Sequence, residues 1–222
     1  MPHAHSGRKP RRQWAPDARA LSVVGDRWLM VIVRDLASGP LRLETLRRWL
    51  PGMSAGALEA RLVRMAEDGL LERRRRRSLP PRVDLELTDR GQELVGVIAE
   101  LARWELQTRW SAPEADEWVD VTACFRLAPF LQRAHDSAPD GTLALTLLDD
   151  ASAPTDHYAY VRADGRAKLA HCPAPSAEAT ISGTQEAWVR ALSPEGGRDG
   201  LRIGGDQEQA KSFLTLFKPA EQ

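Results

Sequence analysis

Five guanidiniums stand in a row at Arg73, Arg74, Arg75, Arg76 and Arg77, and Arg82 follows after a short break. A guanidinium is always charged and presents a rigid fork of donors that fits phosphate. The chemistry such a run suits is contact with a polyanion backbone. Two readings are open. On a strand, alternation puts positive charge on both faces. Asp84 and Glu86, on a returning strand, can pair with part of that charge and leave a self-paired, solvated hairpin. Five cations against two acids leave a surplus, which favours phosphate.

A second group of reactive types comprises Asp156, His157, Tyr158, Tyr160, His171 and Cys172. On a strand, His157 faces away from Tyr158 and Tyr160. No nucleophile elbow, phosphate loop or HExxH-type metal motif occurs in the chain. We therefore expect no catalytic residue, no metal and no cofactor. Cys124 and Cys172 are far apart and fit no metal or redox spacing, so they read as two ordinary thiols.

These groups need elements to hold them. Residues 1–13 are polar, basic and broken by Pro and Gly, which suits a mobile arm. Pro16 can open a helix that runs to Gly25. Asp26 can cap a second, carrying Trp28, Leu29, Ile32, Val33 and Leu36 and closed by Gly39-Pro40. Glu44 to Leu50 is a short helix stopped by Pro51-Gly52. Ser54 caps the next, which runs to about Asp68 and stops at Gly69. Leu70 to Arg77 and Arg82 to Leu87 read as two strands around Ser78-Leu79-Pro80-Pro81. Val83, Leu85 and Leu87 should point inward, Asp84 and Glu86 outward. Thr88 caps a longer helix with one apolar stripe: Leu94, Val97, Ile98, Leu101 and Trp104.

Ser111 to Glu117 reads as a linker, and the pattern changes beyond it. Thr122 to Ala138 looks helical. Thr142 to Leu148, His157 to Ala163, Arg166 to His171, Glu178 to Ser182 and Gly200 to Ile203 look like strands. Gln185 to Leu192 and Glu208 to Phe217 look like helices. The limits this implies are an arm over 1–13, a helical half with a hairpin over 14–110, a linker over 111–117 and an α+β half over 118–222.

Charge divides at the same place. The 222 residues carry 31 basic and 31 acidic side chains. Up to Ser111 there are 21 Lys and Arg against 14 Asp and Glu; from Ala112 onward there are 10 against 17. A basic half and an acidic half have cancelled, and only the first suits a polyanion. The longest apolar run of note, Trp28 to Val33, is far short of a membrane span. No apolar stretch follows the basic N-terminus, so we expect a cytoplasmic protein with no membrane partner.

Helix, short helix, capped helix and hairpin is the order of a winged helix-turn-helix. The blocks Gly25-Asp26-Arg27-Trp28, Pro51-Gly52-Met53-Ser54, Asp68-Gly69-Leu70, Pro80-Pro81-Arg82-Val83 and Leu87-Thr88 resemble the signatures of the HxlR family of bacterial transcription regulators, a branch close to the MarR type. The resemblance covers about residues 15–108. It implies a homodimer joined through the first and last helices, here Leu21, Val24 and the stripe Leu94, Val97, Ile98, Leu101 and Trp104. The other reading of that stripe is core within one domain. It also implies double-stranded DNA as partner. Ala15 stands where that family often has a cysteine, so thiol sensing is not expected there.

In such a domain the helix after Ser54 enters the major groove. Leu58, Leu62 and Met65 fall on one side and should be core. The opposite arc is Gly56, Ala60, Val63 and Glu67. Base contact then falls to the methyls of Ala57 or Ala60, to Glu59 accepting from a cytosine amine, and to Arg61 or Arg64 from the flanks, with Ser54 at the helix start. That arc is nearly neutral. A winged-helix protein that no longer reads DNA, and serves as a small-molecule binder or enzyme, stays open beside the regulator.

From about Thr122 to Phe217 the chain is similar to sterol-carrier-protein-like domains. The order of elements carries the likeness, with Gly200 to Asp206 leading into an apolar last helix and the stretch Cys172 to Ile181. The fold expected is a mainly α winged helix-turn-helix domain followed by an α+β sterol-carrier-like domain. The likeness implies an apolar cavity for a hydrophobic small-molecule effector, with Phe130, Leu131, Leu145, Tyr158, Tyr160, Trp188, Phe213 and Phe217 as candidate lining. Ordinary core packing is the other reading of each.

Overall fold

A computed structural model describes residues 14–77, 82–132 and 138–219. The arm at 1–13 and the hairpin tip lie outside the described residues. The first half opens with α1 (Pro16–Val24), α2 (Arg27–Leu36), α3 (Leu43–Trp49) and α4 (Ala55–Glu67). The hairpin β1 (Leu71–Arg76) and β2 (Arg82–Leu87) and the long α5 (Asp89–Thr108) complete it.

Short side chains set these helix starts. Asp26 accepts from the Trp28 and Leu29 amides, Ser54 from Ala57 and Thr88 from Gly91. Each satisfies amide donors that the first helical turn leaves without partners. Gly69 ends α4 at φ +70°, a conformation that costs glycine nothing. Leu29, Ile32, Val33, Leu46, Leu58, Leu62, Met65, Leu85 and Leu87 are among the residues that close one core between the helices and the hairpin.

The strand reading needs one correction. Val83 is 46% exposed, while Asp84 is buried. Leu85 and Leu87 point inward as expected. Val83 lies beyond the reach of the helices, towards the hairpin end. Asp84 lines a cleft whose walls include Ser38 to Arg42 of the first half and Tyr158, Leu169 and His171 of the second. Its cost of burial is offset by Arg76 and Arg82, at 3.4 and 3.3 Å.

The second half contains α6 (Val121–Leu131), β3 (Gly141–Leu148), β4 (Pro154–Ala163), β5 (Arg166–Ala170), β6 (Ala179–Thr184), α7 (Gln185–Leu192), β7 (Arg202–Gly205) and α8 (Gln207–Thr215). The sheet runs β5-β4-β3-β6-β7, with β3 and β6 parallel and the other pairs antiparallel. α6, α7 and α8 supply Phe125, Trp188 and Phe213 to one core on this sheet. The helix expected from Thr122 to Ala138 stops earlier. Pro129 removes a backbone donor, and Gln132 turns to an extended ψ of 131°.

α6 is the seam between the halves. Phe125, Ala128 and Leu131, at helical spacing, belong to the second core. Phe130 turns the other way and packs on the first core. Arg126, beside it, reaches Asp35 of α2. Trp110 closes the other end of the junction, its Nε1 donating to the Leu192 carbonyl at 3.1 Å.

Candidate nucleic-acid interface

Helical periodicity turns Leu58, Leu62 and Met65 of α4 inward and leaves Ala57, Ala60, Val63 and Arg64 exposed. Ser54 is also exposed, with its hydroxyl engaged in the cap. Two of the expected contacts are engaged within the chain. Arg61 is half-buried and forms an ion pair with Asp26, the cap of α2. Glu59 accepts from Arg73 of β1 at 2.5 Å. Among the described residues, Arg64 is a cation of this helix with no acidic partner.

The hairpin resolves the two readings of the arginine run into a division of labour. Arg74 lies 2.6 Å from Glu72 and 3.2 Å from Glu86. Arg76 lies 3.3 Å from Glu86 and 3.4 Å from Asp84, and Arg82 lies 3.3 Å from Asp84. Four acids, Glu59, Glu72, Asp84 and Glu86, are drawn in, two more than the opposite strand alone supplies. Arg75 and Arg77 are exposed and have no acidic partner among the described residues. Arg64 of α4 is likewise exposed.

Residues 23–113 match the profile described as HxlR-like helix-turn-helix. An uncharacterized HTH-type transcriptional regulator of Halalkalibacterium halodurans is 30% identical over 106 residues, 47% of this chain and 94% of that protein. The chain belongs to the HxlR-like helix-turn-helix family. YdzF of Bacillus subtilis, also named an uncharacterized HTH-type transcriptional regulator, is 33% identical over 95 residues, 42% of this chain and 87% of its own. The solved reduced form of the transcriptional regulator YodB from B. subtilis is 28% identical, with a TM-score of 0.40, covering 44% of this chain and 96% of its own.

The HxlR-like profile ends at residue 113, three residues beyond Trp110, and the α+β half lies past it. Within the family region the stripe on α5 divides. Leu94 and Ile98 pack on the first core with Val24. Val97, Leu101 and Trp104 stay exposed at 46, 55 and 57%, and Leu21 of α1 is 62% exposed. The core reading of the stripe therefore holds for Leu94 and Ile98 and not for Val97, Leu101 and Trp104.

In the second half, Leu131, Leu145, Tyr160, Trp188, Phe213 and Phe217 are buried against one another. Phe125, Trp188 and Phe213 meet edge to face, as do Tyr160 and Phe213. Tyr158 joins this core but also reaches a cleft between the halves of about 360 Å³, with Asp35, Arg42, Trp49, Arg126 and His171. Burial pushes the Tyr158 phenol up. His171 lies 2.9 Å from Asp156 and against the rings of Tyr158 and Trp49. His157, on the opposite strand face, meets Thr146 instead. Among the described residues no group of His, Cys, Asp and Glu is arranged to hold a metal, and no helix is long and apolar enough to cross a membrane.

Sequence reasoning missed the partners that fix the site: Asp26 for Arg61, Glu59 for Arg73 and Asp35 for Arg126. Each pair is distant in the chain, at 35, 14 and 91 residues. Composition carried one usable signal, since Asp35 is an acid on the apolar face of α2 and needed a cation from somewhere.

Proposed function

We propose that the chain is a ligand-responsive transcription regulator. It acts as a homodimer, binds double-stranded DNA through α4 and the wing, and receives a hydrophobic small molecule in a sterol-carrier-like second half. Family membership gives the setting. The observation that carries the reading is that α4 and the outer wing are left uncovered by the second half, with Arg64, Arg75 and Arg77 exposed together. The exposed apolar side chains Val97, Leu101 and Trp104 on one face of α5, with Leu21 on α1, support dimerisation, because exposed apolar patches mark contact surfaces. Two winged domains then meet half-sites about one helical turn apart.

The test is selection of bound duplexes from a random pool, followed by affinity measured against salt. The expected result is tight binding at low salt and a log–log slope of about −0.9 per phosphate contacted. No binding at low salt, or binding indifferent to salt, overturns the reading.

One observation favours a second reading. The outer arc of α4 presents Gly56, Ala60 and Val63, and Glu59 and Arg61 are committed to partners inside the chain. The domain could then serve as a scaffold for small-molecule binding without base readout. A selection that enriches no sequence, beside a small molecule that co-purifies with the chain, is its signature.

A further inference from the structure

The segment that joins the halves, residues 110–121, roofs a cleft of about 290 Å³ against α6 and α7. Trp110, Trp118, Val121, Cys124, Val189 and Leu192 form its walls. The two tryptophans differ in how they are held. Trp110 is anchored to the Leu192 carbonyl. Trp118 is 63% exposed, a large apolar side chain left half in water on a connecting segment. Glu117 and Asp120 are the charged members of the lining, which contains no Lys, Arg or His. Burial keeps the Cys124 thiol neutral. The cleft is therefore apolar and aromatic, with Glu117 at its edge as a carboxylate that no cation pairs among the described residues.

We propose that this cleft binds a flat apolar small molecule that is neutral or cationic, of roughly 15 to 20 non-hydrogen atoms. This rests on the ligand-responsive reading above and names its site and ligand class. Asp120 is balanced by Arg126, so an organic anion meets one unpaired carboxylate, Glu117, and no cation in the lining, and a fatty acid or aromatic acid is disfavoured. The location also gives the ligand something to move. Asp120 lines the cleft, caps α6, and accepts from Arg126 Nη2 at 2.6 Å. Arg126 is held in turn by Asp35 of α2. A molecule wedged under residues 117–120 presses on the residue that ties the second half to the helix-turn-helix, and it can favour one arrangement of the halves over another.

The probes are N-phenyl-1-naphthylamine, which is neutral, and 1-anilinonaphthalene-8-sulfonate, which has the same rings and a negative charge. Each is titrated into the full chain, with probe emission excited through tryptophan. The neutral probe is expected to bind at least tenfold more tightly than the sulfonate. Val189→Trp fills the cleft and should weaken the neutral probe at least tenfold. Trp118→Ala removes one exposed wall without touching the core, and should weaken it several-fold and lower energy transfer. Equal affinity for the two probes overturns the proposal. So does neutral-probe binding undiminished in both variants, or absent up to the solubility limit. DNA affinity is measured on the same preparations. DNA binding without probe binding sinks this site and leaves the DNA reading standing; probe binding without DNA binding does the reverse.

Discussion

Arg126 Nε donates to Asp35 Oδ1 at 2.8 Å across the seam between the two halves, with both side chains excluded from solvent. The guanidinium is well satisfied. Nη1 donates to Thr122 Oγ1 and Nη2 to Asp120 Oδ2, both at 2.6 Å, and the carbon lies 4.2 Å from the Trp49 ring. Arg34 shares the same Asp35 oxygen, at 2.9 Å. α2 and α3 of the helix-turn-helix and α6 of the second half thus meet on one cation. A buried pair of this kind adds little against an apolar replacement, but removing one partner leaves a charge stranded.

Arg126→Met should therefore cost about 2–3 kcal/mol, below the full cost of stranding a buried charge, because Asp120 loses its cation while Asp35 keeps Arg34. Replacing Asp35 as well, by Leu, should recover part of the loss. Urea unfolding of the single and double variants checks this. A single-variant loss below about 1 kcal/mol would show that the pair does not hold the halves together.

The first half was legible because its signals are local. Asp26, Ser54 and Thr88 sit at the start of an apolar period, and each caps the helix expected of it. Leu58, Leu62 and Met65 declare the buried side of α4 by spacing alone. What the sequence hid depends on how distant segments pack. Asp84 reads as outward on any isolated hairpin, but it is buried at a cleft shared by residues 38–42 and the second half. Phe130 reads as part of an apolar helix, but a helix packed between two cores sends neighbouring residues in opposite directions. Trp110 and Trp118 flank a segment whose Pro and acidic content reads as linker, and only the packing of α7 makes them walls.

The two cysteines should react very differently. Burial pushes the Cys124 thiol up from 9.0 to about 11, while Cys172 is exposed. Thiolate is the reactive form, so at pH 8 only about 0.1% of Cys124 is active. A disulfide reagent should label Cys172 quickly and Cys124 at least about 100-fold more slowly, with both equal in urea. The raised value also fixes a sign. The fold favours the protonated thiol, so this group's contribution falls as pH climbs from about 9 to about 11. Equal labelling rates in the folded chain would contradict the burial.

The apolar face of α5 gives a direct test of assembly. Leu101 is 55% exposed and Trp104 57%. Leu101→Glu should shift the mass by sedimentation equilibrium from two chains to one. Its effect on the single chain's own fold should stay within about 0.5 kcal/mol, because the side chain is not in the core. A wild-type mass of one chain at tens of micromolar would remove the dimer.

The wing arginines should separate by their partners rather than by their position in the run. Arg75 and Arg77 are exposed without acidic partners among the described residues, whereas Arg74 is held by Glu72 and Glu86 and Arg76 by Glu86 and Asp84. A cation already paired has less charge to offer a phosphate and must give up its partner to do so. Arg75→Ala and Arg77→Ala should each weaken DNA binding uniformly across sequences and lower the salt slope by about 1. Arg74→Ala should change the slope by much less. Glu86→Gln should strengthen DNA binding modestly, since it removes one of the two acids that hold each of Arg74 and Arg76. Fluorescence anisotropy at several salt concentrations reads all four variants. Equal losses at Arg74, Arg75 and Arg77 would mean that the ion pairs within the hairpin dissolve on DNA and that the run acts as one undivided patch.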